Sequence, residues 1–429
     1  MKNKKDKKLK KFKAVLLAFS IFTSCCMCGC LEQLPFITTN GQTSPETAID
    51  DELEEGEVEF VHTSNPEIDE NNSDSGESIV STSPLSESEI AAVVRNTDDV
   101  LAQYPDFSGT VLLSSGNQII YEKSFGTTGN KKTPNENDTY YQIGSVTKQF
   151  TGTAILQLEK EGLINTSDTL DKYFPEYKQD FLKNITISHL LEMSAGMGDY
   201  MQIIEGDEKL IEEYLKAAQK SESDAKNYIV KTIFEAGIDT EPGKVYTYSN
   251  SAYYLLGVII EQLTGKSYKE YLQENFFDLA GMTDTFFVGD GKDCQTGYSF
   301  AEEKFVCDTD DKYHAVEGDY PYLFSAGSVV STVEDVNKWL DKVTSDEIFT
   351  KSDRKKVETS LMLYNYGWNT SDNLWHHSGR TYTYSSQVFL DYRTDTKMVI
   401  LSNIAFYEDL GQISSSIYVP FVAEARLAK

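Results

Sequence analysis

The sequence predicts one α+β domain from about residue 89 to residue 429, an antiparallel sheet built from both ends of that stretch with a helical lobe inserted. Three observations carry the prediction. Strand-type runs lie near its start, at Ser108-Gly109-Thr110-Val111-Leu112-Leu113 and Gln118-Ile119-Ile120-Tyr121-Glu122. Strand-type runs return near its end, at Ser386-Gln387-Val388-Phe389-Leu390 and Lys397-Met398-Val399-Ile400-Leu401. Helical stretches dominate between, from Ser145 to about residue 280. Strands at both ends with helices between them imply one sheet completed by distant segments.

Taken in order, the chain opens with eight lysines in its first thirteen residues, followed by the apolar run Ala14 to Phe22. That run is too short to span a bilayer and has the make-up of a secretion signal. Thr23-Ser24-Cys25-Cys26-Met27-Cys28-Gly29-Cys30 comes next. A small residue directly before a cysteine resembles the processing site of bacterial lipoproteins. Gly29-Cys30 fits that pattern best, so Cys30 is the expected lipidated residue and Cys25 its rival; an ordinary secretion signal is the other reading. Residues 31–88 are expected to be a flexible acidic spacer. Between residues 31 and 90 there are sixteen acidic side chains and no Lys or Arg, a composition that self-repels and buries little.

The net charge is −29, and removing the first 30 residues, which carry +7, leaves about −36. Nucleic acid is an unsuitable partner for such a chain, because binding it rests on neutralising phosphates with Lys and Arg. A membrane is then met through the lipid anchor only. Localisation is expected at the outer face of the cell membrane or outside the cell. In that oxidising compartment Cys294 and Cys307 suggest a bridged surface hairpin. Two free, buried thiols are the alternative.

Within the domain, Ser115-Gly116-Asn117 reads as the turn of a strand hairpin. An apolar helix is expected over Phe150 to Leu163, and another over Ser251 to Leu263, closed by Gly265. Arg393-Thr394-Asp395 turns between the last two strands. A final helix is expected after Tyr418.

Three short motifs carry chemistry. Ser145-Val146-Thr147-Lys148 places a hydroxyl and an amine on one helical face. A neutral lysine can then take the serine's proton, provided burial or a nearby cation lowers its pKa. Ser223-Asp224-Ala225-Lys226 and Ser352-Asp353-Arg354-Lys355 share the spacing but lie in polar surroundings, and read as solvated surface. Tyr248-Ser249-Asn250 offers a phenol for proton transfer and an amide to bind a substrate carbonyl and orient Lys148. A capped helix start is the structural reading of the same residues. His376-His377-Ser378-Gly379 precedes a strand in this reading, and a histidine there is more often simple packing than a functional group. Gly379 allows a substrate backbone to approach the strand edge, whose N–H groups supply half of an oxyanion hole.

In this order the motifs resemble the serine β-lactamase-related superfamily, on the branch of class C β-lactamases, DD-peptidases and related esterases. Phe107 to Leu112, Ile185 to Leu191, Glu241 to Tyr246 and Ser325 to Thr332 also resemble recurrent family segments. The similarity covers about residues 100 to 405. It implies a β-lactamase/transpeptidase-like fold, acylation of Ser145, and proton transfers shared by Lys148 and Tyr248. Asn250 would contact the substrate amide, and His377 would stand where a lysine stands in true class C β-lactamases. The N–H groups of Ser145 and Arg380 would form the oxyanion hole. The resemblance implies no metal and no organic cofactor, and no His-Glu-x-x-His or Gly-x-Ser-x-Gly pattern occurs.

The expected function is a serine hydrolase acting through an acyl-enzyme on an ester, an amide or a cell-wall D-peptide. The alternatives are a β-lactamase or DD-carboxypeptidase proper, and a non-catalytic penicillin- or peptidoglycan-binding sensor. Two departures from the family bear on substrate. Histidine at 377 removes a permanent cation from the third motif, and Arg380-Thr381-Tyr382-Thr383-Tyr384 replaces a segment that is usually small.

Overall fold

The computed structural model describes residues 84–128, 133–290, 297–299, 304–306, 319–360, 362–371, 374–405 and 409–427. Its main sheet has seven strands: β1 (Gly109–Ser115), β2 (Gln118–Phe125), β3 (Tyr364–Asn365), β4 (Trp368–Ser371), β5 (Leu374–Arg380), β6 (Ser385–Asp391) and β7 (Thr396–Ser402). They lie in the order β3-β4-β5-β6-β7-β1-β2, and every pairing is antiparallel. The expected closure is present. β1 pairs along its length with β7, Gly109 opposite Ser402 and Ser115 opposite Thr396, so the two ends of the domain meet in mid-sheet.

Alternation along the central strands sorts their side chains onto two faces. Val111 and Leu113 of β1 and Met398 and Ile400 of β7 join one core with helices α1 (Glu87–Leu101) and α6 (Leu410–Leu427). Leu112 of β1 and Val399 and Leu401 of β7 face the other way, into a larger core shared with the helical lobe. The lobe contains α2 (Thr147–Lys160), α3 (Tyr200–Glu205), α4 (Asn250–Thr264) and α5 (Tyr320–Gly327), with further helices at Glu208–Ala218 and Glu222–Ala236. Helix α2 is buried over almost its whole surface, including the polar Thr147, Lys148, Gln149, Thr151 and Thr153. Helix α4 ends at Gly265, whose φ of 67° gives the left-handed cap that the sequence anticipates.

Four expectations are corrected. Helix α1 begins at Glu87, inside the expected spacer, because Ser86 and Glu89 form a reciprocal capping box. The His376–Gly379 motif lies within strand β5 rather than ahead of it. Helix α6 starts at Leu410, eight residues before Tyr418, and carries Pro420 inside it. Finally, Lys226 is not simply solvated: its side chain is 11% exposed and pairs with both Glu222 and Glu261. Ser352 and Lys355 are exposed, as expected.

Residues 297–299 and 304–306 pair as an antiparallel hairpin, in the segment expected to hold one. Cys294 and Cys307 lie outside the described residues, as do Cys25, Cys30, the signal and all but the last few residues of the spacer. Among the described residues, no helix is long and apolar enough to cross a membrane.

Candidate active site

A tight 3-10 turn, Gly144–Val146, leads directly into α2 and places Ser145 one turn ahead of Lys148. The turn is pressed against strand β5. A Cβ on Gly144, whose φ is 50°, would lie 2.6 Å from the Arg380 nitrogen, and one on Gly379 would lie 1.9 Å from the Ile143 carbonyl oxygen. Only glycines let these two backbones meet so closely. The consequence is that the N–H groups of residues 145 and 380 come from adjoining backbone.

Ser145 Oγ lies 2.9 Å from Lys148 Nζ and accepts a 2.7 Å hydrogen bond from the Tyr248 hydroxyl. Lys148 is fully buried. Its Nζ also donates to Asn250 Oδ1 at 2.8 Å and to the Ala326 carbonyl at 2.7 Å. A charged ammonium meets these three oxygens with three N–H groups. A neutral amine keeps two donors for Asn250 and Ala326, whose oxygens can only accept, and turns its lone pair to Ser145. Burial lowers the Lys148 pKa to about 7, against an opposing pull from the Asp199 charge. The neutral form is therefore well populated near neutral pH.

Burial pushes the Tyr248 phenol well above its usual pKa, so the ring carries its proton. The sequence-predicted groups thus divide by protonation state. Lys148 can accept a proton from Ser145, and Tyr248 can give one. The ammonium also sits 5.0 Å from the centre of the Tyr248 ring.

Asn250 opens helix α4, and its amide is oriented by its two neighbours. Oδ1 faces Lys148, while Nδ2 donates to Asp199 Oδ2 at 2.7 Å. His377 takes the packing placement. It is fully buried beneath the site, so its ring presents no surface to a ligand. Its Nδ1 lies 2.6 Å from the Ser378 carbonyl, which can only accept, so Nδ1 carries the hydrogen and Nε2 accepts from the Tyr364 hydroxyl at 3.0 Å. Burial lowers its pKa to about 3, leaving the ring neutral. His377 therefore braces Tyr364 rather than meeting substrate as a cation.

Three participants escaped the sequence reading: Asp199, Tyr364 and the Ala326 carbonyl. Ala326 lies in the family-like Ser325 to Thr332 segment, which was the available signal. Asp199 and Tyr364 reach the site only through tertiary packing. Arg380 ends strand β5, opposite Ser385. Among the described residues, no group of three or more His, Cys, Asp or Glu side chains could hold a metal ion.

Comparison with known proteins adds the following. A family model described as Beta-lactamase matches residues 97–413. Penicillin-binding protein 4* of Bacillus subtilis (strain 168) is 32% identical over 191 residues, which is 44% of this chain and 39% of that protein. Putative penicillin-binding protein PbpX of the same organism is 27% identical over 346 residues, covering 79% of this chain and 81% of that one. The chain thus spans under half the length of the first relative and most of the second. FmtA from Staphylococcus aureus has a TM-score of 0.65 at 22% identity, over 81% of this chain and 91% of that one. D-amino acid amidase from Ochrobactrum anthropi SV3 has a TM-score of 0.60 at 20% identity, over 80% and 99%. At these identities the structural likeness speaks for the fold.

Proposed function

Because the chain belongs to the Beta-lactamase family, we propose that it is a serine hydrolase that forms an acyl-enzyme on Ser145 from an ester, an amide or a cell-wall D-peptide. One observation carries the reading. A serine hydroxyl sits within hydrogen-bond reach of both a buried, readily neutral lysine and a protonated tyrosine.

In the proposed reaction Ser145 Oγ attacks the substrate carbonyl carbon as its proton passes to Lys148 Nζ. The carbonyl oxygen, now negative, lies between the N–H groups of Ser145 and Arg380. The bond to the leaving group breaks as Tyr248 donates its proton to that group, and Lys148 returns a proton to the phenol. Water then attacks the acyl ester, and the transfers run in reverse. Asn250 holds Lys148 and, on its free side, meets the substrate amide. Gly379 does not face substrate as its motif suggested: the space beside it holds the Ile143 carbonyl and the Ser386 hydroxyl, so it serves by letting β5 close on the Ser145 turn.

The neutral, enclosed His377 supplies no positive charge for a substrate carboxylate. That favours esters and amides over β-lactams. The lysine-rich start, the apolar run and the acidic spacer support export, with Cys30 as the lipidated residue. They also support limits of 1–30, 31–88 and 89–429 for signal, spacer and hydrolase domain, with helix α1 reaching back to Glu87. Relatives named as penicillin-binding proteins support a place at the cell wall.

The test is a panel of p-nitrophenyl esters, D-Ala-D-Ala peptides, a chromogenic cephalosporin and a fluorescent penicillin, run on wild type and Ser145→Ala. Ester or amide turnover that disappears in the alanine variant is expected. Penicillin labelling without turnover of any substrate would indicate a sensor instead.

A further inference from the structure

Asp199 has an ordinary explanation and a surplus. As the N-cap of helix α3, its Oδ1 accepts from the Met201 N–H at 2.9 Å. Capping needs no more than that. Its second oxygen, Oδ2, is committed elsewhere. It accepts both the backbone N–H of Asn250 at 3.1 Å and the side-chain Nδ2 of Asn250 at 2.7 Å, across 51 residues of sequence. The same Asn250 amide presents its oxygen to Lys148.

We infer that Asp199 is a positioning residue for Lys148: its carboxylate fixes the Asn250 amide with the oxygen towards the lysine, and its negative charge holds the proton on that lysine. A flipped amide would set its NH2 group against the ammonium and its oxygen against the carboxylate, so both neighbours oppose the flip. The inference rests on the proposed role of Lys148 as the base for Ser145.

The surroundings of Lys148 isolate the Asp199 charge. Its own turn contributes Ser145, α4 contributes the neutral Asn250, and α5 contributes the Ala326 carbonyl. Tyr248 is a protonated phenol and His377 a neutral ring. Glu205, at the far end of α3, is raised to about 8 by burial, with Asp199's charge adding to the shift, so it is largely uncharged at neutral pH. Burial raises the Asp199 carboxyl, while its three N–H donors and the Lys148 charge pull it back towards the ionised form; ionised, it is the anion among these groups that acts on Lys148. A negative neighbour favours the ammonium, so removing it frees the base at lower pH.

The experiment measures kcat/KM against pH for p-nitrophenyl ester hydrolysis in wild type, Asp199→Asn, Asp199→Ser and Asp199→Glu, with Ser145→Ala as the blank. Asn and Ser are good N-caps without charge, so a purely capping role leaves their profiles on that of wild type. The expected result is an ascending limb shifted to lower pH by about one unit in the Asn and Ser variants. Their plateau falls as Asn250 loosens, and the Glu limb stays in place. Superimposed limbs in folded variants would overturn the inference. So would failure of both neutral caps to fold, which would assign Asp199 to folding. Activity surviving in Ser145→Ala would overturn the underlying reading of the site instead.

Discussion

At the scale of single residues, the proposed site keeps two proton carriers in opposite states within reach of one hydroxyl. Burial produces both states, because it disfavours charge on the amine and on the phenol alike. Tyr248→Phe keeps the ring and its packing but deletes the proton. For amides and alkyl esters, whose leaving groups need protonation, kcat/KM, which reports acylation, should fall by about 10²–10⁴. For p-nitrophenyl esters, whose leaving group departs as a stable anion, the loss should be much smaller. Steady-state kinetics on both substrate types checks this, and equal losses would remove Tyr248 as the acid. Ser145, Lys148, Tyr248 and Asn250 were legible in sequence because each belongs to a short local pattern. Burial of Lys148 was foreseeable only as a requirement. Asp199 and Tyr364 were not legible, since neither shares a local pattern with the residue it serves. His377 was legible as a position, with packing and substrate contact both open, because whether a ring on a strand faces a cleft or a core depends on what is packed over it.

At the scale of elements, the site is a junction between a turn and a strand edge. The Gly144 turn and β5 touch backbone to backbone, and Gly379 has no space beyond its own hydrogens. Gly379→Ala should therefore push the turn and strand apart, with a cost of about 1–3 kcal/mol in stability and a larger proportional loss of activity. Thermal melts and ester turnover on the same sample separate the two, and an unchanged turnover number would contradict the junction. Sheet elements with continuous apolar or β-branched runs, such as β1, β6 and β7, were legible. The short β3 and β4 were not, because two to four residues hold too little pattern. Helix α6 is expected from sequence only after Tyr418; it starts at Leu410 and runs through Pro420, a residue that normally ends a helix. Here Ile413, Ile417, Phe421 and Ala425 keep one apolar face against the sheet through it.

At the scale of the whole molecule, two cores share one sheet, and the smaller depends on α1. Val93, Val100 and Leu101 of that helix are buried against it. A chain starting at residue 84 should melt like the full-length protein, whereas one starting at residue 103 should lose several degrees and expose apolar surface. Calorimetry on the two truncations decides; equal melting temperatures would show that α1 is dispensable. The general architecture was legible because composition changes sharply at the ends of the lobe, while the division into two cores had to await the sheet order. That division also sets how the protein presents itself. Helix α1 lies on the face of the sheet that turns away from Ser145, so whatever holds the chain through the residues before Ser86 grips it from behind. A support, a dye or a second domain joined there leaves the Ser145 side open to the surrounding medium.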